Sequence, residues 1–195
     1  LETLGYAVFN SILNTCEYTN IPHNRERTFI LCFLADKYDP LETNPFQYLN
    51  HHKNQTTLSS INDFLEDNPV EEKYYYREDK YNYSQLAEVI NNSGTVYQWR
   101  RTYVRENKSG VCPTLTANMG TGGHNVPLIL DDSGIRKLTP RECFNLQGFP
   151  QDFKFPDKIP NTQLYKQAGN SVTVTLVRQL ALLIYSYINS EQAGQ

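Results

Sequence analysis

One run of apolar residues limits the folds open to this chain more than any other feature. Residues 28–34 read Thr-Phe-Ile-Leu-Cys-Phe-Leu, which is the length of a β-strand and has no polar residue after the first position. A strand that is apolar on both of its faces is typical of a parallel sheet covered by helices on either side. The run therefore predicts an α/β fold, with residues 28–34 as a strand buried on both faces.

Two helices are predicted downstream by their end signals. Thr139-Pro140-Arg141-Glu142 combines an N-cap threonine, a proline at the first helical position and a glutamate three residues after the cap. Gly148 offers a stop for this helix. Residues 172–188 carry apolar side chains at helical spacing, and Gln167-Ala168-Gly169-Asn170-Ser171-Val172 precedes them. We therefore expect the segment 167–172 to open the last helix, with Asn170 or Ser171 as its N-cap.

Charge is distributed unevenly along the chain. The formal net charge of the 195 residues is -3. Residues 36–93 hold 11 acidic and 5 basic side chains, whereas residues 94–141 hold 7 basic and 3 acidic ones. A basic stripe on an acidic body is compatible with nucleic-acid binding, although charged runs are more often solvated surface.

The four cysteines, Cys16, Cys32, Cys112 and Cys143, are widely separated and form no C-x-x-C pair. This spacing argues against a metal site and favours reduced thiols in a cytoplasmic protein. No apolar run reaches the roughly 18 residues of a membrane-spanning helix. The sequence therefore predicts a cytoplasmic globular protein with neither a metal nor a membrane partner.

Two arginines, Arg25 and Arg27, stand immediately before the apolar run. Arginines separated by one residue on an extended segment point to the same side. A guanidinium at a strand entrance can reach into a cleft and bind an anion or a base carbonyl. A surface ion pair with Glu26 is the simpler alternative.

Residues 97–125 contain the types of side chain that contact nucleic acids. Arg100 and Arg101 alternate with aromatic residues and could hold phosphates. Thr114, Thr116 and His124 flank a glycine-rich segment and could bond to base edges. The alternatives are an amphipathic strand and a glycine-rich hairpin with no ligand.

Three stretches in this order resemble motifs of the DNA (cytosine-5) methyltransferase family. Residues 21–27 resemble its Gln-x-Arg-x-Arg motif, with His23 where glutamine is usual. Residues 136–150, Arg-Lys-Leu-Thr-Pro-Arg-Glu-Cys-Phe-Asn-Leu-Gln-Gly-Phe-Pro, resemble its next-to-last motif, and Gly169-Asn170-Ser171-Val172 its last. The resemblance covers residues 21–34 and 110–188 closely and residues 36–109 little, as expected for a variable recognition region.

The resemblance implies a role for each matched residue, with double-stranded DNA as partner and S-adenosylmethionine as cofactor. Arg25 and Arg27 would line the pocket of a flipped cytosine. Thr114 and Leu115 would match the Thr-Leu pair of the target-recognition domain. The helix of Arg141 would organise that domain, with Arg141 anchoring either the fold or a phosphate. Cofactor contacts would come from Asn170, Ser171 and Val172. The full set of expected DNA contacts is Arg100, Arg101, Thr114, Leu115, Thr116, His124 and Arg141.

The implied fold is part of a Rossmann-like core interrupted by a small mixed α+β domain. Residues 1–35 would be the last strands of the catalytic core, residues 36–163 the DNA target-recognition domain and residues 164–195 the helix that returns to the core.

Three features of the family do not occur in this chain. The catalytic cysteine of the family follows a proline, but none of the ten prolines here precedes a cysteine. The glycine-rich methyl-donor loop and the Glu-Asn-Val motif are also missing. We therefore expect the C-terminal half of a bacterial restriction-modification methyltransferase, whose nucleophile lies in a preceding half. A separate, non-catalytic DNA-binding module of a split enzyme is the alternative.

Overall fold

A long antiparallel ribbon forms the first layer of the computed structural model, which describes residues 1–36, 44–67, 69–80, 82–100, 102–121 and 125–192. Strand β1 (Tyr6–Asn14) pairs with β2 (Glu26–Leu34) from Tyr6↔Leu34 to Asn14↔Glu26. The four-residue helix α1 (Thr15–Tyr18) and a buried turn connect the two strands. Within the described ranges, this ribbon has no third strand.

The expectation that residues 28–34 are buried on both faces is wrong. Leu31 and Phe33 are buried, whereas Ile30 is 58% exposed and Cys32 is also exposed. The pairing is antiparallel rather than parallel, and side chains of alternate residues point to opposite faces. One face packs on a helix and the other remains open, so an all-apolar strand is buried on one side only.

A second sheet has the strand order β4-β3-β5-β6 and is antiparallel throughout. Its strands are β3 (Tyr97–Arg100), β4 (Tyr103–Glu106), β5 (Leu128–Asp131) and β6 (Gly134–Lys137). Helix α3 (Tyr83–Ala87) contributes Leu86 to the cluster beneath this sheet, together with Tyr97 and Leu128. Helix α2 (Phe46–His51) packs instead on the ribbon.

Helix α4 (Pro140–Asn145) begins and ends as predicted. Thr139 accepts from the amide of Glu142, and the Glu142 carboxylate accepts from the amide of Thr139, so both halves of the capping box are present. Gly148 adopts a left-handed φ of 75°, and its amide donates to the carbonyl of Asn145. The local sequence alone sets both ends of this helix.

A buried ion network ties α4 to the second sheet. The guanidinium of Arg136, 2% exposed, donates two bonds to the carboxylate of Glu142 at 2.7 and 2.8 Å and a third to Asp131 at 2.5 Å. Burial alone would lower the pKa of Arg136, but the bonds to these carboxylates raise it. Arg136 is therefore neutralised inside the protein and adds nothing to a basic surface.

The last two helices meet at a break inside the Gly169–Val172 motif. Helix α5 (Asn161–Asn170) ends with Ser171 in an extended conformation, and α6 (Val174–Gln192) begins three residues later. The expectation that residues 167–172 open the last helix is therefore wrong, because these residues close one helix and only then lead into the next. Residues 170–173, which begin with the last residue of α5, form a junction between α5 and α6, to which we refer below as the α5–α6 junction.

The two helices pack on different clusters. Leu164, Tyr165 and Ala168 of α5 join the central cluster that also holds residues of α4. Helix α6 contributes Leu176, Leu180 and Leu183 to the cluster under the ribbon. The change from one cluster to the other falls at the α5–α6 junction.

One stretch is long and apolar enough to cross a membrane if only length and composition are considered. It covers Asn161–Asn189 and therefore spans the break between the two helices. Core helices of proteins outside membranes meet the same criterion. Here Leu176, Leu180 and Leu183 are packed against the ribbon.

Candidate functional site

A polar cleft of about 430 Å³ lies where the second sheet meets the loop that follows residue 112. The hairpin of β3 and β4 forms one wall, the loop 113–118 forms another, and Asn24 contributes from the turn before β2. Among the described residues, no carboxylate lines the cleft. Its lining side chains are Asn24, Gln98, Trp99, Arg100, Arg105, Pro113, Thr114, Thr116, Asn118, Asn125 and Val126.

Three of the expected DNA contacts, Arg100, Thr114 and Thr116, lie together in this cleft. Arg101 and His124 fall outside the described residues. Five further polar residues of the cleft were not among the individual DNA contacts expected from the sequence, namely Asn24, Gln98, Arg105, Asn118 and Asn125. Gln98 and Arg105 could have been found from strand periodicity, because they stand opposite each other in the β3–β4 pairing.

Leu115 does not face the cleft, and the expectation that its side chain contacts DNA is wrong. The side chain is 1% exposed and belongs to the central hydrophobic cluster. Its backbone is engaged as well, since the amide donates to His23 and the carbonyl accepts from Arg25. Leu115 therefore fixes the loop from which Thr114 and Thr116 reach the cleft.

Arg141 lines a different groove, together with Glu66, Tyr74 and Phe155. Its guanidinium carbon lies 4.0 Å from the centre of the Phe155 ring, and its Nη2 donates to the carbonyl of Phe153 at 2.5 Å. These contacts fit the first of its two expected roles, anchoring the fold.

Arg25 is 2% exposed, and its fork is occupied by backbone carbonyls. Nη1 donates to the carbonyl of Leu115 at 2.8 Å, and Nη2 donates to those of Gly169 at 3.0 Å and Ser171 at 2.5 Å. Burial, followed by the charge of Arg27, lowers the pKa of Arg25 to about 10. The side chain stays charged at neutral pH, and its bonds lie within the protein.

Arg27 has a different environment. Its backbone pairs with Leu13 at the start of β2, and its side chain is half-buried. Among the described residues, its one hydrogen bond runs from Nη1 to the carbonyl of Glu26 at 2.6 Å. The expected ion pair with the Glu26 carboxylate is not formed, so most of the donors of this guanidinium remain available to a ligand.

His23 is completely buried and bridges two loops. The backbone amide of Leu115 donates to Nε2 at 3.2 Å, so the ring proton sits on Nδ1 and bonds to the carbonyl of Leu146 at 3.1 Å. Burial, and next the charge of Arg25, lower the pKa of His23 to about 3. A glutamine amide offers the same acceptor and donor, which explains physically how either residue suits this position.

The α5–α6 junction holds the three expected cofactor contacts. Asn170 is exposed, Val172 is 46% exposed, and the Ser171 hydroxyl donates to the carbonyl of Ala168 at 2.8 Å. An exposed amide next to an exposed apolar side chain suits one side of a nucleoside-like ligand. Ser171 contributes through its backbone position, because its hydroxyl and carbonyl are already bonded.

Buried polar residues hold the junction in place. Gln147 is 0% exposed, and its amide nitrogen donates to the carbonyl of Ala168 at 2.9 Å. Thr173 donates to the Gln147 side-chain oxygen at 3.2 Å and also bonds to the hydroxyl of Thr15 at 2.8 Å. Sequence reasoning missed this role, although Gln147 stands inside one of the quoted motifs.

The buried thiols do not resemble nucleophiles. Cys112 and Cys143 are both 0% exposed, and burial raises the pKa of each thiol above its ordinary value. Within the part of the chain that the structure describes, no group of three or more histidine, cysteine, aspartate or glutamate side chains could hold a metal ion.

Comparison with known proteins gives a consistent result. A family model described as C-5 cytosine-specific DNA methylase matches residues 1–186. The type II methyltransferase M.Bsp6I of Bacillus sp. (strain RFL6) is 49% identical over 193 residues, which cover 95% of this chain and 57% of that protein. The type II methyltransferase M.SsoII of Shigella sonnei is 31% identical, with 97% and 47% covered. The chain therefore spans about half the length of these curated relatives.

Solved structures agree at the level of the fold. The S. pombe Dnmt2 methyltransferase has a TM-score of 0.65 at 19% identity, covering 95% of this chain and 60% of that one. The Entamoeba histolytica methyltransferase EhMeth has a TM-score of 0.60 at 18% identity, covering 95% and 55%. Both likenesses indicate a mixed α/β methyltransferase fold.

Proposed function

Because this chain belongs to the C-5 cytosine-specific DNA methylase family, we propose that it is the DNA-recognising C-terminal portion of a bacterial restriction-modification methyltransferase. The cleft carries this proposal. Amide, hydroxyl and guanidinium groups from three segments line one cavity, and no carboxylate of the described residues accompanies them. Such groups bond to base edges and phosphates, and the duplex is the substrate class they fit.

We propose a division of the chain that follows its packing. The target-recognition domain extends from the segment after β2 to the end of α5, with α2 packed back on the ribbon. The ribbon and α6 belong to the catalytic core.

A restriction-modification enzyme acts on the host's own DNA, so we expect it in the cytoplasm.

Each part of this chain would have a separate task. The cleft would hold the duplex, and Arg100 with Arg105 would neutralise phosphates there. The target cytosine has to leave the base stack before its ring can react. Arg27 would then contact the extruded base, because its guanidinium is half-buried and has most of its donors available.

The α5–α6 junction would contribute one side of the cofactor site. Asn170 and Val172 would contact S-adenosylmethionine, and Ser171 would set their backbone position. When bound, S-adenosylmethionine supplies the methyl group that is transferred to cytosine. This chain has no Pro-Cys pair and its buried thiols are protonated, so we place the attacking thiolate in the portion that precedes it in the relatives.

Transfer of tritium from labelled S-adenosylmethionine to cognate DNA tests the proposal. We expect label on the DNA with the enzyme that includes the preceding portion, and none with residues 1–195 alone. Arg27→Ala in the longer enzyme should reduce the single-turnover rate more than DNA affinity, because the contact forms only with the extruded base. Label above background from residues 1–195, or an unchanged rate for Arg27→Ala, would contradict the proposal.

A further inference from the structure

One buried side chain joins the cleft to the α5–α6 junction. The guanidinium of Arg25 bonds to the carbonyl of Leu115, 90 positions away, and to the carbonyl of Ser171, 146 positions away. Leu115 stands between two cleft residues, and Ser171 stands between the two residues expected to contact the cofactor. Both proposed ligand sites therefore depend on the position of the same guanidinium.

The charge of Arg25 is balanced only by dipoles. Within the described ranges, Arg25 forms no ion pair, and its three acceptors are backbone carbonyls. Its Nε is buried and has no hydrogen-bond partner. A buried cation that lost one of these carbonyls would lose part of the only compensation that the described residues give it. The position of the loop relative to the junction is thus tightly fixed.

A second contact joins the loop to α5 through backbone packing rather than through the side chain of Arg25. A Cβ atom on Gly169 would lie closer than 3.0 Å to backbone atoms of Thr116 and Ala117. At the other end of the loop, a Cβ on Gly120 would lie equally close to the carbonyl of Thr162 in α5. The loop 116–120 therefore rests backbone to backbone on α5, with no side chain between them to absorb a shift.

We infer that Arg25 is a positioning residue that couples base reading in the cleft to cofactor binding at the α5–α6 junction. The inference rests on the proposed function of the two sites. A duplex seated against Thr114 and Thr116 holds the loop, and Arg25 transmits that constraint to Gly169 and Ser171. By thermodynamic reciprocity, a ligand at the junction also orders the loop. Of the pair Arg25 and Arg27, Arg27 is then the arginine that contacts the extruded base.

The variant that tests this role is Arg25→Lys in the enzyme that includes the preceding portion. Lysine keeps the charge but is a single point, and it cannot span the separate carbonyls that the planar fork reaches. Gly169→Ala is the second variant, since it separates the loop from α5 while the guanidinium of Arg25 itself is kept. Arg77→Lys is the matched control, because Arg77 also donates to a backbone carbonyl, that of Ser133, but lies in a surface ion pair with Glu72.

The measurement is the affinity for S-adenosylhomocysteine by titration calorimetry, with and without cognate duplex. For the unchanged enzyme we expect the duplex to tighten binding by about 5- to 150-fold, the usual range of coupling between sites. Arg25→Lys and Gly169→Ala should bring this ratio towards one and lower kcat by about 10- to 100-fold through misplacement. Arg77→Lys should leave both the ratio and kcat unchanged.

Several outcomes would overturn the inference. One is a ratio of one in the unchanged enzyme, and another is a normal ratio and kcat in Arg25→Lys. Arg25→Lys could also weaken the binding of both S-adenosylhomocysteine and the duplex but leave unchanged the factor by which the duplex tightens S-adenosylhomocysteine binding. Arg25 would then be merely structural. Failure of the unchanged enzyme to transfer a methyl group would instead refute the proposed function, since the calorimetric ratio is measured without turnover.

Hydrogen exchange on the unchanged enzyme needs no variant to fold. S-adenosylhomocysteine alone, with no DNA present, should slow amide exchange in residues 114–120. Exchange that stays the same in this loop while the α5–α6 junction becomes protected would overturn the coupling.

Discussion

At the scale of single residues, His23 is a fully buried group whose protonation would disturb the fold. Both ring nitrogens are bonded, one accepting from Leu115 and the other donating to Leu146. Protonation would place a second N–H against the amide of Leu115 next to the charge of Arg25. The pKa of about 3 thus expresses the cost of a second proton in this buried position.

We predict that His23 makes the protein sensitive to acid. The folded pKa lies below the ordinary value of 6.5, so the unfolded chain binds the proton first and stability falls as pH falls. Between pH 7 and pH 4.5 this group should cost about 3 kcal/mol of unfolding free energy. His23→Gln keeps one acceptor and one donor but does not titrate, so it should remove that part of the loss.

Thermal unfolding across this pH range checks the prediction. His51→Gln is the matched control, because His51 is exposed. Equal acid sensitivity in the unchanged protein and in His23→Gln would show that His23 does not titrate on unfolding.

We predict a large loss of stability for Glu142→Gln. The Glu142 carboxylate accepts from Arg136 twice, from the Thr139 amide and from the Glu66 amide, and the residue is 0% exposed. Removing its charge leaves buried Arg136 with only Asp131, which should cost about 3 kcal/mol in urea unfolding. Glu72→Gln breaks the exposed pair with Arg77 and should change the urea midpoint far less; similar midpoints for the two variants would contradict this ranking.

Alternation explains which residues of the cleft loop could be predicted. Thr114 and Thr116 face the cleft, and Leu115 between them faces the core. Successive side chains of an extended segment point to opposite sides, so the sequence itself contains this division. The resemblance to a Thr-Leu pair led to the wrong prediction that Leu115 faces DNA. A shared motif contains residues that pack in the core as well as residues that contact a ligand.

At the scale of elements, a helix end set by neighbouring residues could be predicted from the sequence, whereas a helix end set by distant residues could not. The capped start of α4 depends on residues only three apart, and the structure confirms it. The end of α5 depends on Arg25 and Gln147, which bond to residues 168–171 from far away in sequence. Apolar residues continue beyond the break, so periodicity alone predicts a helix start where the chain has a helix end.

We predict that Gly120→Ala destabilises the packing of the loop 116–120 on α5. The added methyl group would meet the carbonyl of Thr162, and helix backbone cannot yield as a side chain would. The expected loss is about 1–3 kcal/mol in denaturant unfolding, with weaker DNA binding. Gly94→Ala is the control, since its Cβ would approach only the side-chain oxygen of Asn92. A neutral effect of Gly120→Ala would mean that the loop is not held on the helix.

At the scale of the whole molecule, net charge was a poor guide to the candidate DNA-binding surface. The position of each charged side chain was a better guide. Part of the basic excess in residues 94–141 is Arg136, which is paired internally, while Arg100 and Arg105 line the cleft. The parallel-sheet expectation also failed at this scale. Strand partners are set by distant segments, and the described chain supplies β2 with only one neighbour.

We predict two kinds of DNA-binding defect within the cleft. Arg105→Ala should weaken binding to every sequence and reduce the salt dependence by about one unit of slope, as expected for a phosphate contact. Asn118→Ala should relax preference at a single base pair by about 1–3 kcal/mol. Titrations of the longer enzyme against cognate and singly mismatched duplexes at several salt concentrations separate the two. A uniform loss for Asn118→Ala would exclude it as a base reader.

The packing of α6 on the ribbon also has a consequence for biosynthesis. Thr15 and Thr173 bond across 158 positions, and Tyr18 accepts from Gln179 across 161. A ribosome therefore releases both strands of the ribbon long before the helix that covers Leu31 and Phe33 exists. Until then only α1 and α2 among the described helices contribute to the cluster on this sheet face, and the part that α6 later covers is open to other nascent chains. Slow translation between these segments should therefore raise the demand for chaperones, whatever the stability of the finished protein.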